Sequence, residues 1–156
     1  MDLTTVGVKI GYATATANGT RPTAFTQLQR CKSIGAIDLT QDTIDVTALE
    51  DYFKKYADGT VDTGGKVDLT FGLSDDVIAE QEKYLKAAST AKTSKKEFWH
   101  VVYFPLLSKA FYFIATPLTK VGLPDISVGN AAEIKQSLVI NEYIGLDAAV
   151  EPTVGE

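Results

Sequence analysis

The run at residues 97–104 constrains the fold more than any other part of this sequence, because it is apolar on both sides. It alternates two apolar sets: Phe98, Val102 and Phe104 on one face, and Trp99, Val101 and Tyr103 on the other. Successive side chains of a strand point to opposite faces. The run therefore predicts a strand that is covered on both faces.

Other alternating or β-branched stretches predict further strands, and one stretch predicts a helix. The strands are expected at 6–11, 25–34, 43–47, 66–73, 109–116 and 134–143. Ser74 suits an N-cap, Asp75 and Asp76 suit a first helical turn, and apolar spacing continues to about Ser89. The sequence thus predicts a mainly β protein, an antiparallel β-sandwich or small barrel with one packed α-helix, as a single domain over 1–156.

Two segments are predicted to be mobile in the free subunit. Residues 50–65 are interpreted as a long loop between strands, in which Tyr52, Phe53 and Tyr56 stand among charged residues and glycines. Long loops inside compact domains are often functional, and exposed aromatic residues favour partner surfaces. We therefore expect this loop to contact a partner. The acidic tail at 147–156 is also expected to be mobile.

The charge balance argues against tight binding of nucleic acid. The chain has 156 residues and a formal net charge of −5, from 20 acidic and 15 basic residues. The only dense basic stretch contains Lys92, Lys95 and Lys96, whereas proteins that grip phosphates usually carry a broader basic patch. No apolar run approaches the roughly 20 residues that cross a bilayer, and the first five residues do not resemble a signal peptide.

Catalytic, metal and cofactor sites are not expected. The single Cys31 cannot form an intrachain disulfide and is interpreted as a half-buried strand residue. The single His100 lies in phase with Phe98 and Val102, which favours a core or interface residue over a ligand or base. Asp75, Asp76 and Glu80 could be imagined as a carboxylate cluster, but the first two also fit a helix N-terminus. The sequence predicts no enzyme.

Residues 33–50 carry a resemblance to a known family and read SIGAIDLTQDTIDVTALE. This segment resembles the major tail proteins, or tail tube proteins, of long-tailed bacteriophages of the siphophage type. In that family an I-D-V-T-x-L-[DE] segment leads into a long loop with a Y-x-x-G element, and Tyr56-Ala57-Asp58-Gly59 is similar to it. The strand Lys66 to Phe71, the aromatic strand Phe111-Tyr112-Phe113, the turn Gly129 to Ala132 and the strand Ile134 to Ile140 follow in the family order. The family commonly has proline before the loop glycine, where this chain has Asp58.

The resemblance implies a non-enzymatic virion protein with the fold of phage tail tubes and type VI secretion tubes. Its subunits would form hexameric rings that stack into a tube, through which genomic DNA passes during ejection without tight binding. The implied partners are further copies of the chain, the tape measure protein, the tail terminator and the tail-tip proteins. The protein would be made in the host cytoplasm. The expected inter-subunit residues are those of the loop: Tyr52, Phe53, Lys54, Lys55, Tyr56, Asp58 and Gly59.

Two other classes remain open at the level of sequence. A monomeric β-sandwich module that binds carbohydrate or protein would have the same strands and the same exposed aromatic residues. A small barrel enzyme would need a polar pocket with perturbed titratable groups. The charge balance also leads us to expect that an assembled tube has a mostly acidic lumen, with Lys92, Lys95 and Lys96 outside it.

Overall fold

The computed structural model describes residues 4–154, which form a mainly β fold with one packed helix. The elements are β1 Lys9–Thr14, β2 Thr26–Leu28, β3 Cys31–Ile34, β4 Thr40–Asp45, β5 Tyr56–Asp62, β6 Lys66–Gly72, α1 Asp75–Thr93, β7 Phe98–Tyr103, β8 Lys109–Pro117, β9 Glu133–Ala148 and β10 Thr153–Val154. The predicted fold class is confirmed.

Eight of these strands form one curled sheet in the order β10-β2-β1-β7-β8-β9-β6-β3, and all but one of the pairings are antiparallel. Only Gln29 and Arg30 separate β2 from β3, although these strands lie towards opposite flanks of the sheet. The short connection requires the two flanks to come close together, so the sheet curls towards a barrel. The remaining strands, β4 and β5, form a separate two-stranded sheet.

The strand β7 has a hydrophobic cluster on each side, as its sequence predicts. Phe98 belongs to the cluster between the inner face of the sheet and α1, together with Phe71, Tyr84 and Leu138. The outward-facing residues join a second cluster, which the segments after β1 and after β9 complete: Ala15, Phe25, Trp99, Val101, Ala110, Tyr112 and Ile114, with Ala149 and Val150 packed against them.

The helix α1 begins where the sequence predicts and is tied to the sheet near its start. The Ser74 side chain accepts a hydrogen bond from the Val77 amide, which caps one of the free amides of the first turn. One turn later, the Glu80 carboxylate accepts a hydrogen bond from the Gln29 amide at 2.5 Å. Glu80 thus fixes the turn between β2 and β3 against the helix, so this carboxylate has a structural role. The helix continues one turn past Ser89, the predicted end, because Ala91 adds a buried contact.

Two further sequence expectations need correction. The predicted single strand at 25–34 is divided, because Arg30 adopts a positive φ of 60° and turns the chain between β2 and β3. The tail at 147–156 was expected to be mobile, but its described residues contact the body. Pro152 is buried, the Thr153 amide donates to the Phe25 carbonyl at 3.0 Å, and β10 pairs with β2 in parallel. Residues 155 and 156 lie outside the described residues.

Candidate assembly surfaces

The strands β4 and β5 form a hairpin that projects from the body between β3 and β6; we call residues 38–65 the arm. The sequence predicts a loop at 50–65, and this expectation is wrong for Tyr56–Asp62, which form β5. Cross-strand partners include Ile44 with Ala57 and Thr43 with Asp58. The arm is therefore an extended and internally hydrogen-bonded element.

The tip of the arm, residues 46–55, is held by hydrogen bonds among its own residues. The Val46 amide donates to the Lys55 carbonyl at 3.0 Å, and the Lys55 amide donates to Thr47 Oγ1 at 2.8 Å. Asp51 accepts from the Ala48 amide at 2.9 Å and pairs with Lys55 Nζ at 3.0 Å. These two contacts hold the pKa of the Asp51 carboxyl below its usual value, and the hydrogen bond from the Ala48 amide has the larger effect. The tip thus has a defined shape that presents its apolar side chains outward.

Gly59 lies at a point of the arm where the facing strand leaves no room for a side chain. The register between the strands shifts between Gln41 and Thr43, so that two residues of β5, Gly59 and Thr60, lie opposite the single residue Asp42 of β4. A Cβ atom at Gly59 would lie 2.7 Å from the Asp42 carbonyl oxygen and 2.9 Å from the Asp42 Cβ. The glycine of the Y-x-x-G element therefore permits a bulge inside the arm.

The arm is exposed on both faces. All six residues of β4 are exposed, and neither arm strand pairs with any other described strand. Leu49, Tyr52 and Phe53 at the tip are 109%, 99% and 84% exposed. Large apolar residues are also exposed along the strands and their junctions: Leu39, Ile44, Val46, Tyr56 and Val61. A two-stranded hairpin is marginally stable by itself in water, and an apolar surface of this extent is typical of an interaction site.

The arm also holds the whole net charge of the chain. It contains seven acidic residues and two lysines, Lys54 and Lys55, which gives a net charge of −5. The rest of the chain has thirteen acidic and thirteen basic residues and is formally neutral. Of the seven acids, only Asp51 forms an ion pair within the described residues. The negative charge is thus concentrated on a projecting element and is not spread over the molecule.

The three lysines of the basic stretch surround a cleft of about 330 Å³ at the end of α1. Lys92, Lys95 and Lys96 are exposed, and none of them forms an ion pair within residues 4–154. Apolar and polar side chains complete the lining: Ala88, Glu97, Phe98, Ile114, Thr116, Asn141 and Glu142. Because Glu97 accepts a hydrogen bond from the Gly19 amide, part of its charge is already engaged. The cleft therefore combines three lysines and two glutamates with a partly apolar lining.

A larger and more apolar cleft, of about 590 Å³, opens beside β3 and the start of the arm. Its lining includes Ile10, Ile34, Ile37, Val102, Phe104, Phe111, Phe113 and Tyr143, with Cys31 at its wall. Burial raises the pKa of the Cys31 thiol to about 11, although a hydrogen bond with Ser33 partly opposes this shift. The thiol is therefore protonated at neutral pH, which disfavours the reactive thiolate form.

His100 lies in the core, as its position in β7 predicts. Its side chain is completely buried, Nε2 lies 2.5 Å from the Tyr84 hydroxyl, and the ring stacks on Phe113 with centroids 5.1 Å apart. Burial lowers the pKa of the imidazole from 6.5 to about 3. His100 is consequently neutral at physiological pH and has a packing role.

The described residues offer no group of three or more His, Cys, Asp or Glu side chains arranged to hold a metal ion. Within the same residues, no helix has both the length and the apolar character that spanning a membrane requires.

Solved structures with a similar fold come from phage-like particles. A chain from a cryo-electron microscopy structure of the anti-feeding prophage baseplate, symmetrised six-fold, has a TM-score of 0.54 and 11% identity, over 95% of this chain and 98% of that chain. A chain of the virion of a native gene transfer agent particle has a TM-score of 0.52 and 13% identity, over 95% and 99%. This chain shares their fold. No protein-family model and no curated protein sequence matches it.

The structure changes the set of candidate contact residues. Tyr52 and Phe53 lie together at the tip, whereas Tyr56, Asp58 and Gly59 lie on β5. The strand residue Ile44 was not expected at an exposed surface, because its alternating strand would normally have one covered face. Val61 lies in the segment that was interpreted as a loop, and it was not singled out as a contact residue.

Proposed function

We propose that this chain is a structural subunit of a phage-type tail, and that its copies join into hexameric rings that stack into a tube for DNA. The observation that carries the proposal is the arm. It is a folded hairpin whose large apolar side chains are left exposed by the rest of the chain. An element of this kind gains stability when a second protein surface buries it. Identical subunits in a closed ring supply such a surface for every copy.

Three further points support a tail role. The fold is shared with chains of two phage-like particles, one of which was symmetrised six-fold. The segment at 33–59 resembles major tail proteins of long-tailed phages. The body outside the arm is formally neutral, so it has no broad positive field that would retain DNA. We place the protein in the virion and infer contacts with the tape measure, terminator and tail-tip proteins.

A second candidate is a monomeric module that binds carbohydrate or protein, and the apolar cleft of about 590 Å³ favours it. Clefts of this size accommodate small ligands. Such a module would remain monomeric as its concentration rises, and its ligand would occupy the cleft. A tube subunit would instead form large assemblies.

Sedimentation velocity and negative-stain microscopy of the purified protein at rising concentration distinguish the two candidates. We expect rings or tubes from the intact chain. A variant in which a short Gly-Ser linker replaces residues 38–63 should remain a folded monomer, since the Gly35 amide already donates to the Asp68 carbonyl at 2.7 Å and keeps the two ends close. A monomeric intact chain at every concentration, or normal tubes from the variant without the arm, would contradict the proposal.

A further inference from the structure

We infer that the acidic arm of one copy docks on the basic cleft at the end of α1 of a second copy. This inference rests on the proposed function and specifies the contact that joins the copies. We call the cleft lined by Lys92, Lys95 and Lys96 the lysine cleft.

Charge complementarity is the first reason for this pairing. The arm carries a net charge of −5, and six of its seven acids have no ion-pair partner within the described residues. The lysine cleft has three exposed lysines that also lack ion pairs in residues 4–154, and with Glu97 and Glu142 in the same lining its formal charge is +1. Opposite potentials on two surfaces steer association and fix register. The arm would repel another arm, so head-to-head contacts of arms are disfavoured.

The mixed polarity of both surfaces is the second reason. The arm interleaves acids with exposed apolar residues, such as Ile44 beside Asp45 and Val61 beside Asp62. The lysine cleft has a floor of apolar side chains, Ala88, Phe98 and Ile114, which are only 6%, 4% and 4% exposed. A docked arm can therefore bury its own apolar side chains over this floor while its carboxylates meet ammonium groups at the rim, as interfaces with an apolar centre and a polar rim do.

The arrangement also produces a directional contact. Each copy carries one arm and one lysine cleft, and the two lie on different elements of the chain. The contact therefore joins two different surfaces, which makes it heterologous. Heterologous contacts generate rings when their rotation closes and filaments when it does not. The same contact repeated from copy to copy would therefore extend an assembly without any additional protein.

A charge-exchange experiment tests the inference on the full-length protein. In one variant Asp42→Lys and Asp58→Lys reverse two arm acids whose side chains make no hydrogen bond or ion pair with any residue of 4–154. In a second, Lys92→Glu and Lys95→Glu reverse two cleft lysines. A third variant combines all four changes. The matched control is Lys86→Glu with Lys120→Glu, which changes the net charge by the same amount as the second variant. Thermal melts of the monomers verify folding.

We expect each two-residue variant to raise the concentration needed for assembly by about tenfold or more, because like charges would face each other at the contact. The combined variant should assemble nearly as well as the native chain, since the pairing is restored with its signs exchanged. The control should assemble like the native chain.

Other results would overturn the inference in distinguishable ways. Normal assembly of both two-residue variants, or no rescue in the combined variant, would reject the lysine cleft as the receptor, while the proposed tail function would stand. In that case a loss of assembly on Phe111→Ser would point to the larger apolar cleft. A native chain that stays monomeric would reject both the docking and the proposed function.

Discussion

The Tyr84 hydroxyl lies 2.5 Å from Nε2 of His100, and both side chains are fully buried where α1 packs on β7. A neutral imidazole can accept or donate this hydrogen bond, but a proton added in the core would create an unpaired charge. Burial accordingly lowers the pKa of His100 from 6.5 to about 3. In the unfolded chain the imidazole binds a proton below pH 6.5, and in the folded chain it does not until about pH 3. Its contribution to stability is therefore complete above pH 6.5 and is lost progressively as the pH falls towards 3.

The first prediction is that His100 makes the protein acid-sensitive. Between pH 6.5 and about 3, this residue should lower the free energy of unfolding by up to about 1.4 kcal/mol for each pH unit. Urea unfolding of the native chain and of His100→Gln, at neutral and mildly acidic pH, measures the effect. The variant should be less stable by a few kcal/mol at neutral pH, and its stability should fall less steeply with acid. Equal slopes for the two proteins would contradict a buried neutral imidazole.

The second prediction concerns the bulge in the arm. Gly59→Ala places a Cβ atom 2.7 Å from the Asp42 carbonyl oxygen, so the strands must separate or shift. We expect assembly to weaken while the melting temperature of the body changes little, because neither strand of the arm pairs with a described strand of the body. Thr60→Ala, at the next residue of β5, is the matched control and should assemble normally. A Gly59→Ala variant that assembles like the control would show that the pairing register of β4 and β5 is not important for the contact between copies.

The third prediction is that assembly protects the arm from local opening. Its backbone hydrogen bonds lie in a hairpin exposed on both faces, and such regions open locally at low free-energy cost. In the free subunit the amides of β4 and β5 should exchange with solvent much faster than those of β7. In assembled tubes the arm amides should become protected, while those of β7 remain as they were. Hydrogen-exchange mass spectrometry measures both states, and fast exchange of the arm in tubes would exclude it from the contact.

The fourth prediction is that assembled tubes do not retain DNA. The body is formally neutral, and docking of the arm would cover Lys92, Lys95 and Lys96. A filter-binding assay at low salt should detect no retention by tubes. The monomer without the arm should bind weakly and in a salt-sensitive manner, because its lysines are uncovered. Sub-micromolar binding by tubes that disappears when these three lysines become glutamine would contradict this prediction. The expectation of an acidic lumen stays a prediction, and it now requires that acids of the arm or of one body face line the channel.

The sequence predicted best those elements whose neighbours lie within the chain. The two-sided apolar pattern of β7 and the Ser74 cap of α1 depend on contacts that their own residues make, and both are confirmed. The arm was harder, because β5 has no covered face and its sequence lacks the usual alternation of a packed strand. The short β10 was also missed, since a two-residue parallel strand has no period and its partner Thr26 is far away in sequence.

The candidate contact surface was predicted only in part, for a related reason. The exposed aromatic residues Tyr52 and Phe53 indicated a partner surface without any knowledge of the fold. The lysine cleft depends on the packing of α1, β7, β8 and β9 around one point, and no local pattern encodes that arrangement. A charged stretch in a sequence shows its charge but not the side chains that will surround it.

The junction between the arm and β6 contains Gly64 and Gly65, whose φ angles are 84° and 80° and whose Cβ positions face open space. Two adjacent residues without side chains resist rotation weakly. If copies are joined through their arms, strain between neighbouring copies would be relieved at these junctions while each barrel stays rigid. The flexural stiffness of such a tail would then depend on this pair of glycines, and a more rigid junction would give straighter, more brittle particles.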